Sequence, residues 1–391
     1  MTAPDPVGPS AQEIDQLRAV LARWLDRDVL PNVLELEHAD EYPTAMVEQM
    51  REFGLFGATI PVAYGGLGLP TSVYAEIVTQ ISAVWMSLTG VLNSHLMMAH
   101  LISRFGTDAQ RTGFLPAMAA GELRGGLALT EPTCGTDLQA IRTTARRDGD
   151  SYVVNGTKTW ITNGGRGNCL ALLVKSDLDA EPRSRGTSVL LARKDLDGYT
   201  VPRKLGKLGY KGVDTVELLF ADTVVDADRL LGGEEGRGLA QVLGGLELGR
   251  INVAARGVGV ADAALQASLR YANVRETMGR PIGQHQAIQL KLADMACRVA
   301  SARLLTREAA GALDAGRRCD LEAGMAKLVA TEAALENATD ALRIHGAYGY
   351  STEDHLERYY RDAPLLCIGE GTNEIQRTVI ARRLLTDVEH G

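Results

Sequence analysis

Glu370 sits in the run Cys367-Ile368-Gly369-Glu370-Gly371-Thr372-Asn373-Glu374-Ile375, among small and apolar residues just before an amphipathic C-terminal segment. Glycines on both sides leave the backbone open to close approach by a ligand. A carboxylate with few polar neighbours is poorly solvated, so its proton affinity rises toward neutral pH. A general base that takes a weakly acidic C–H proton needs that property. The competing reading is a Gly-rich turn capping a helix, with Glu370 in solvent.

Five other constellations carry chemistry. Leu127-Ala128-Leu129-Thr130-Glu131-Pro132-Thr133-Cys134-Gly135-Thr136-Asp137 is a strand followed by a turn. Its backbone edge and the hydroxyls of Thr130 and Thr136 suit a flat heteroaromatic ring, or it is an ordinary turn with Pro132 at the corner. Trp160-Ile161-Thr162 offers an apolar face beside a hydroxyl, to cover a ring or to fill a core. Arg275, followed by Gly279-Arg280-Pro281 and by His285-Gln286, lies between two long helices, where an Arg fork matches phosphate oxygens or a loop is simply solvated. Arg343-Ile344-His345-Gly346-Ala347 closes a helix, and Gly346 allows either a cap or backbone approach to a second phosphate. Glu247 and Arg250, three apart on a helix, are placed to pair or to contact a charged ligand. No GxGxxG follows a strand and no βαβ alternation occurs, which disfavours a Rossmann site.

The elements that must position these residues fall into three blocks. Residues 1–123 read as helical: Leu17, Val20, Leu21, Trp24 and Leu25 recur at helix spacing. Residues 124–235 read as a β domain, an antiparallel barrel or sandwich. Its strand candidates are Leu170–Val174, Ser188–Ala192 and Val216–Phe220, with a hairpin expected at Asn155-Gly156 and a turn at Asp148-Gly149-Asp150. Residues 236–391 return to helical period as a four-helix bundle, its first helix running from about Leu239 to Arg275. The fold class expected is a multi-domain α+β chain, with its site where the three blocks meet.

Bulk properties narrow the function. A net charge of −8 disfavours nucleic-acid binding. The apolar stretch Ala83–Ile102 is interrupted by Ser87, Asn93, Ser94, His95 and His100, which fits a buried helix better than a membrane span. Five widely spaced cysteines without a CxxC argue against disulfides and zinc and fit a cytoplasmic setting. The stretch Met1–Ser10 has no apolar core of a signal sequence. No metal is expected.

Taken together and in order, these motifs resemble the acyl-CoA dehydrogenase family over residues 12–388. The landmarks include Tyr64-Gly65-Gly66, Leu129-Thr130-Glu131-Pro132, Asn155-Gly156-Thr157-Lys158, Trp160-Ile161-Thr162-Asn163, Gly279-Arg280-Pro281-Ile282 and Glu370-Gly371-Thr372-Asn373-Glu374. The resemblance implies an all-α N-terminal domain, a central β domain and a C-terminal bundle. It implies FAD, usually a homotetramer (a dimer is the alternative), and α,β-dehydrogenation of an acyl-CoA thioester. Electrons then pass to an electron-transfer flavoprotein. By the same resemblance, flavin contacts fall on Leu127, Leu129, Thr130, Thr136, Trp160 and Thr162. Arg275 and Gln286 match positions that reach the FAD of a neighbouring subunit. Arg343, Gly346, Ala347, Thr372 and Glu374 match further FAD positions, and Thr136, Glu247, Arg250 and Gly371 match substrate positions.

Glu370 matches the catalytic base. Some members carry that base at the position held here by Gly249, which can do no acid–base chemistry, and this strengthens Glu370. Arg343 departs from the Gln of many members, Thr133-Cys134 replaces smaller residues, and Asp226 stands where a Pro is usual. A carrier-protein thioester as substrate and an oxidase reaction are the alternatives within the family. Acyl-chain length depends on how Val91, Ser94, His95 and Met98 pack.

Overall fold

The computed structural model describes residues 8–389, so residues 1–7 of the polar N-terminal stretch lie outside them. The first block holds α1 (Ala11–Trp24), α2 (Val33–His38), α3 (Thr44–Glu52), α4 (Thr71–Phe105) and α5 (Asp108–Ala119). A capping box starts α1: Glu13 N donates to Ser10 Oγ, and Ser10 N donates to Glu13 Oε2 at 2.8 Å. Thr107 and Gln110 repeat the device at α5. Most of α4 is buried, including the apolar stretch read as a core helix. Its backbone leaves helical geometry at Trp85 (φ −152°, ψ 105°). There the indole N–H donates to Glu37 Oε2 at 3.0 Å.

The second block is one seven-stranded, mostly antiparallel sheet in the order β1-β4-β2-β3-β7-β6, with β5 also paired to β4. The strands are β1 (Leu127–Ala128), β2 (Thr144–Asp148), β3 (Ser151–Thr162), β4 (Cys169–Lys175), β5 (Thr187–Arg193), β6 (Tyr199–Lys204) and β7 (Thr215–Asp226). β1 runs parallel to β4. β4 and β5 are buried nearly end to end, which is why they read as unbroken apolar runs.

Asn155-Gly156 makes no hairpin. β3 continues through it with a register shift, and the turn falls at residues 149–150, between Asp148 and Ser151. The reason is cross-strand. Asn155 Nδ2 donates to Asp222 Oδ1 at 2.9 Å and Asp222 N donates to Asn155 Oδ1 at 2.9 Å, which fastens Asn155 to β7. A Cβ on Gly156 would come within 2.4 Å of Thr143 Oγ1 from the facing strand segment. The glycine therefore serves a bulge and a close approach.

The third block holds α6 (Gly238–Val274), α7 (Gln286–Asp314), α8 (Asp320–His345), α9 (Leu356–Ile368) and α10 (Asn373–Glu389). Small residues let α6 approach its neighbours on two faces. A Cβ on Gly257 would lie 2.6 Å from Ala330 O of α8, and one on Gly259 would lie 2.5 Å from Thr79 O of α4.

Buried polar contacts join the blocks. Glu37, from α2, accepts from Trp85, from Lys211 N and from Arg361 Nη1, the last two at 3.2 Å. Asp362, from α9, accepts from Tyr210 N at 2.6 Å. Within the β domain, Lys158 Nζ meets Glu131 Oε1 at 2.8 Å and Leu129 O at 3.0 Å, with both side chains out of solvent. Glu131 also accepts from the backbone N–H groups of Arg142 and Thr143. This pair pins the Leu129–Glu131 segment to β3, the strand that carries Trp160 and Thr162. Replacing Lys158 by Met leaves a buried, unpaired carboxylate, at a cost of about 3–5 kcal/mol. Thermal unfolding of Lys158→Met should show a drop of that size; an unchanged melting temperature would refute the assignment.

Candidate active site

Glu370 lies in the turn between α9 and α10, and its own backbone is left-handed (φ 56°), followed by Gly371 at φ 86°. A non-glycine residue held there costs about 1–3 kcal/mol and persists only where surroundings enforce it. The enforcement is visible. Lys327, fully buried on α8, donates from Nζ to Cys367 O (3.2 Å), Gly371 O (2.9 Å) and Asn373 Oδ1 (2.8 Å). Gln376 Nε2 adds a bond to Gly371 O at 3.1 Å. One ammonium thus collects the loose acceptors on either side of Glu370. Burial pushes Lys327 down to about 8, against the pull of Cys367, Glu370 and Glu374.

The Glu370 side chain points between α4 and α6. Its Oε1 accepts from Asn93 Nδ2 at 3.2 Å. On the other side a Cβ at Gly249 would sit 3.1 Å from Oε2 and 2.7 Å from Met97 Sδ. Gly249 therefore faces the same point as Glu370, and its lack of a side chain leaves the carboxylate room. Burial raises the Glu370 pKa above its ordinary 4.5, while Arg256, Arg250, Lys327 and the Asn93 bond pull the other way.

Gly90, Asn93 and Met97 are the α4 residues that face this space. His95 and Met98 turn away. His95 accepts from Gly125 N at 3.1 Å and its Nε2 lies 3.0 Å from Phe56 O. Burial holds its pKa near 4, so the ring is neutral with Nε2–H donating. Met98 packs under Gly125, where a Cβ would meet its Sδ at 2.6 Å.

The end of β3 docks beside this space. Asn163 Nδ2 donates to Val91 O and to Gly125 O, each at 2.9 Å, which fixes the strand end to α4 two residues before Asn93. Trp160, with φ 61°, turns its indole outward and is 57% exposed. Leu127, Leu129, Thr130 and Thr162 are half-buried, and Thr136 is exposed. Thr159 N donates to Thr130 O at 2.9 Å, so the Thr130 segment and the Trp160 strand are neighbours. An exposed indole beside open hydroxyls and a strand edge fits a flat ring system lying against this face.

Glu247 and Arg250 do not pair with each other. Arg250 is buried, and its Nε lacks a hydrogen-bond partner. Burial raises the Glu247 pKa above the ordinary range. The remaining residues form a separate patch. Arg275, Gln286, Arg343, Gly346 and Ala347 are exposed, and Tyr271 stacks on His345 with ring centroids 4.2 Å apart. That contact joins the Arg275 connector to the Gly346 loop. Thr372 caps α10 through Ile375 N, and Glu374 is exposed. Among the described residues no His, Cys, Asp and Glu cluster could hold a metal ion.

The sequence shows no sign of a site role for Lys327, Tyr210 or Arg256, and Asn93 stands out there only as a polar break in an apolar stretch. A lone Lys in the Ala-rich α8 and one of three Arg in α6 carry no local signal, because their roles depend on partners far away in the chain.

Family models of the N-terminal, middle and C-terminal domains of acyl-CoA dehydrogenases match residues 11–122, 126–223 and 236–385. The chain is 38% identical to an acyl-CoA dehydrogenase of Bacillus subtilis (strain 168), over 96% of this chain and 98% of that protein. It is 39% identical to (2S)-methylsuccinyl-CoA dehydrogenase of Cereibacter sphaeroides, over 96% of this chain and 70% of that one. Butyryl-CoA dehydrogenase from Megasphaera elsdenii superposes with a TM-score of 0.92 at 32% identity, covering 97% of this chain and all of that structure. The three blocks, the half-buried carboxylate between α4 and α6 and these matches agree: the chain belongs to the acyl-CoA dehydrogenase family, oxidoreductases that act on CH–CH bonds.

Proposed function

We propose that this enzyme dehydrogenates a short-chain acyl-CoA thioester at its α,β bond, with Glu370 as the base that removes the α-proton. The carrying observation is the Glu370 carboxylate, half-buried beside α4 and α6 and set in a strained turn by Lys327. The names of two relatives, butyryl-CoA and methylsuccinyl-CoA dehydrogenase, support a short acyl group. Leu127, Leu129, Thr130, Thr136, Trp160 and Thr162 would hold FAD. When bound, the flavin supplies the acceptor for the β-hydrogen.

The protein's own contribution is orientation, exclusion of water and a tuned proton acceptor. A thioester α-proton is too weakly acidic for an ordinary carboxylate. Donors at the thioester carbonyl must stabilise the developing negative charge. Burial of Glu370 raises its proton affinity toward that of the activated carbon acid. Arg250 and Glu247 lie on the α6 turn beside Gly249 and would contact the thioester side of the ligand, with Gly371 and Thr136.

The same reading extends to assembly. Arg275 caps the far end of α6, 26 residues beyond Gly249 and about 39 Å away along the helix axis. It would therefore serve the FAD of a second subunit, as would Gln286, Arg343, Gly346 and Ala347. Val274, Met278, Tyr348 and Tyr350 around that patch are 63–91% exposed, large apolar surfaces suited to a partner copy. A homo-oligomer, electron-transfer flavoprotein as acceptor and a cytoplasmic setting belong to this proposal. The five free thiols fit the last.

Glu370→Gln should keep FAD bound yet abolish anaerobic bleaching by butyryl-CoA; undiminished bleaching would remove Glu370 from the role of base. The same variant should be more stable than wild type at neutral pH. A carboxyl with a raised folded pKa favours the fold when protonated, and that contribution is lost as pH rises from about 4.5 through the folded value. Melting curves of the two proteins should therefore converge toward pH 4.5.

For turnover, the rate should rise with pH through a Glu370 pKa above 4.5 and fall again through about 8 as Lys327 loses its proton. Lys327→Met should lower kcat about 10- to 100-fold, shift the acid limb to higher pH and erase the alkaline limb. An unchanged pH profile would reduce Lys327 to a packing residue.

A further inference from the structure

Arg256 is a buried charge that acts on Glu370 only through space and has no ion-pair partner of its own among the described residues. It is 5% exposed, and among the described residues its side chain makes one hydrogen bond, from Nη1 to Tyr210 Oη at 3.1 Å. Its Nε has no partner, and among the described residues no carboxylate lies within ion-pair distance. A guanidinium has five donors, and leaving most of them unmatched out of water is costly unless a ligand meets them.

Its location is specific. Gly249, Val253 and Arg256 follow the i, i+4, i+7 spacing of one helix face. Gly249 touches Glu370, so Arg256 lies on the same face about 10 Å further along α6. α4 answers with Met97, Asn93 and Gly90, at the same spacing and in the opposite direction. Met97 lies at the level of Gly249, Asn93 bonds Glu370, and Gly90 lies at the level of Tyr210. A Cβ on Gly90 would fall 1.5 Å from Tyr210 Oη, so only glycine admits this tyrosine. Tyr210 comes from the β domain and is held by Asp362 through its backbone N–H. Beyond Glu370 the facing helices thus present a guanidinium and a phenol instead of the apolar side chains that a long alkyl tail would need.

We infer that the acyl group is a short dicarboxylic one, of four or five carbons, whose terminal carboxylate is bound by Arg256 with Tyr210. This rests on the acyl-thioester reading above and specifies its substrate. The terminal carboxylate takes no part in bond changes. Glu370 would take the α-proton, a bound flavin would supply the acceptor for the β-hydrogen and its electron pair, and the carboxylate would only fix chain length and register. A monocarboxylic chain of equal length would leave Arg256 desolvated and unmatched. A charged hydrogen-bonded contact of this kind discriminates by about tenfold to a hundredfold.

The test uses the FAD-loaded enzyme and anaerobic flavin bleaching with matched pairs: succinyl-CoA against butyryl-CoA, and glutaryl-CoA against pentanoyl-CoA. In wild type the dicarboxylic member of at least one pair should have a kcat/KM at least tenfold higher. Arg256→Gln should cut that ratio at least tenfold, and Arg256→Lys, which keeps the charge, should retain part of it. The wild-type ratio needs no variant, so a misfolded Arg256→Gln leaves the test intact. Wild-type preference for the monocarboxylic members, or an equal loss on both members in Arg256→Gln, would overturn the inference and leave the acyl-CoA reading standing. Failure of all four thioesters to bleach the flavin would overturn both.

Discussion

A half-buried carboxylate held between two helices is the constraint on which the rest of this structure depends. Left to itself, an ionised group in that position would draw in solvent or lose its charge. The fold holds it there with cations at a distance and one amide in contact. Asn93 donates to the carboxylate, while Arg250, Arg256 and Lys327 act on it through space. Burial still outweighs them, and that imbalance makes Glu370 a stronger base than a surface carboxylate. The strained backbone at Glu370 belongs to the same arrangement, since Lys327 fixes the turn by its carbonyls and leaves the carboxylate free.

Bringing the carboxylate to that point requires small residues at chosen places on the facing helices. Gly249 leaves room for Glu370, Gly90 leaves room for Tyr210, and Gly257 and Gly259 bring α6 close to α8 and α4. The β domain is locked onto this helical frame through Asn163 on Val91 and through Tyr210 on Asp362. The face carrying Trp160 therefore has a fixed relation to the carboxylate although it comes from another part of the chain. Buried polar contacts in low dielectric are costly when broken, so they specify one docking of the blocks.

Much of this was legible in the residues. Helical period, strand-like apolar runs and Gly-rich connectors set out three blocks, and the Gly-Glu-Gly turn singled out Glu370. Asn155-Gly156 shows where local reading failed. The dipeptide that most favours a tight turn lies inside β3, because its partners Asp222 and Thr143 are supplied by strands that local pattern does not reveal. Glu247 and Arg250 show a second limit: helical spacing permits a pair, yet burial separates their roles.

The sequence by itself determined the order of elements and the identity of the carboxylate, because periodicity and turn chemistry act over a few residues. Only the tertiary structure decided what surrounds that carboxylate. Lys327 precedes Glu370 by 43 residues, Asn93 by 277 and Tyr210 by 160, and nothing local couples positions so far apart. Their effect on Glu370 is electrostatic and steric, and both depend on distances that exist only once α4, α6, α8 and the β domain are packed together.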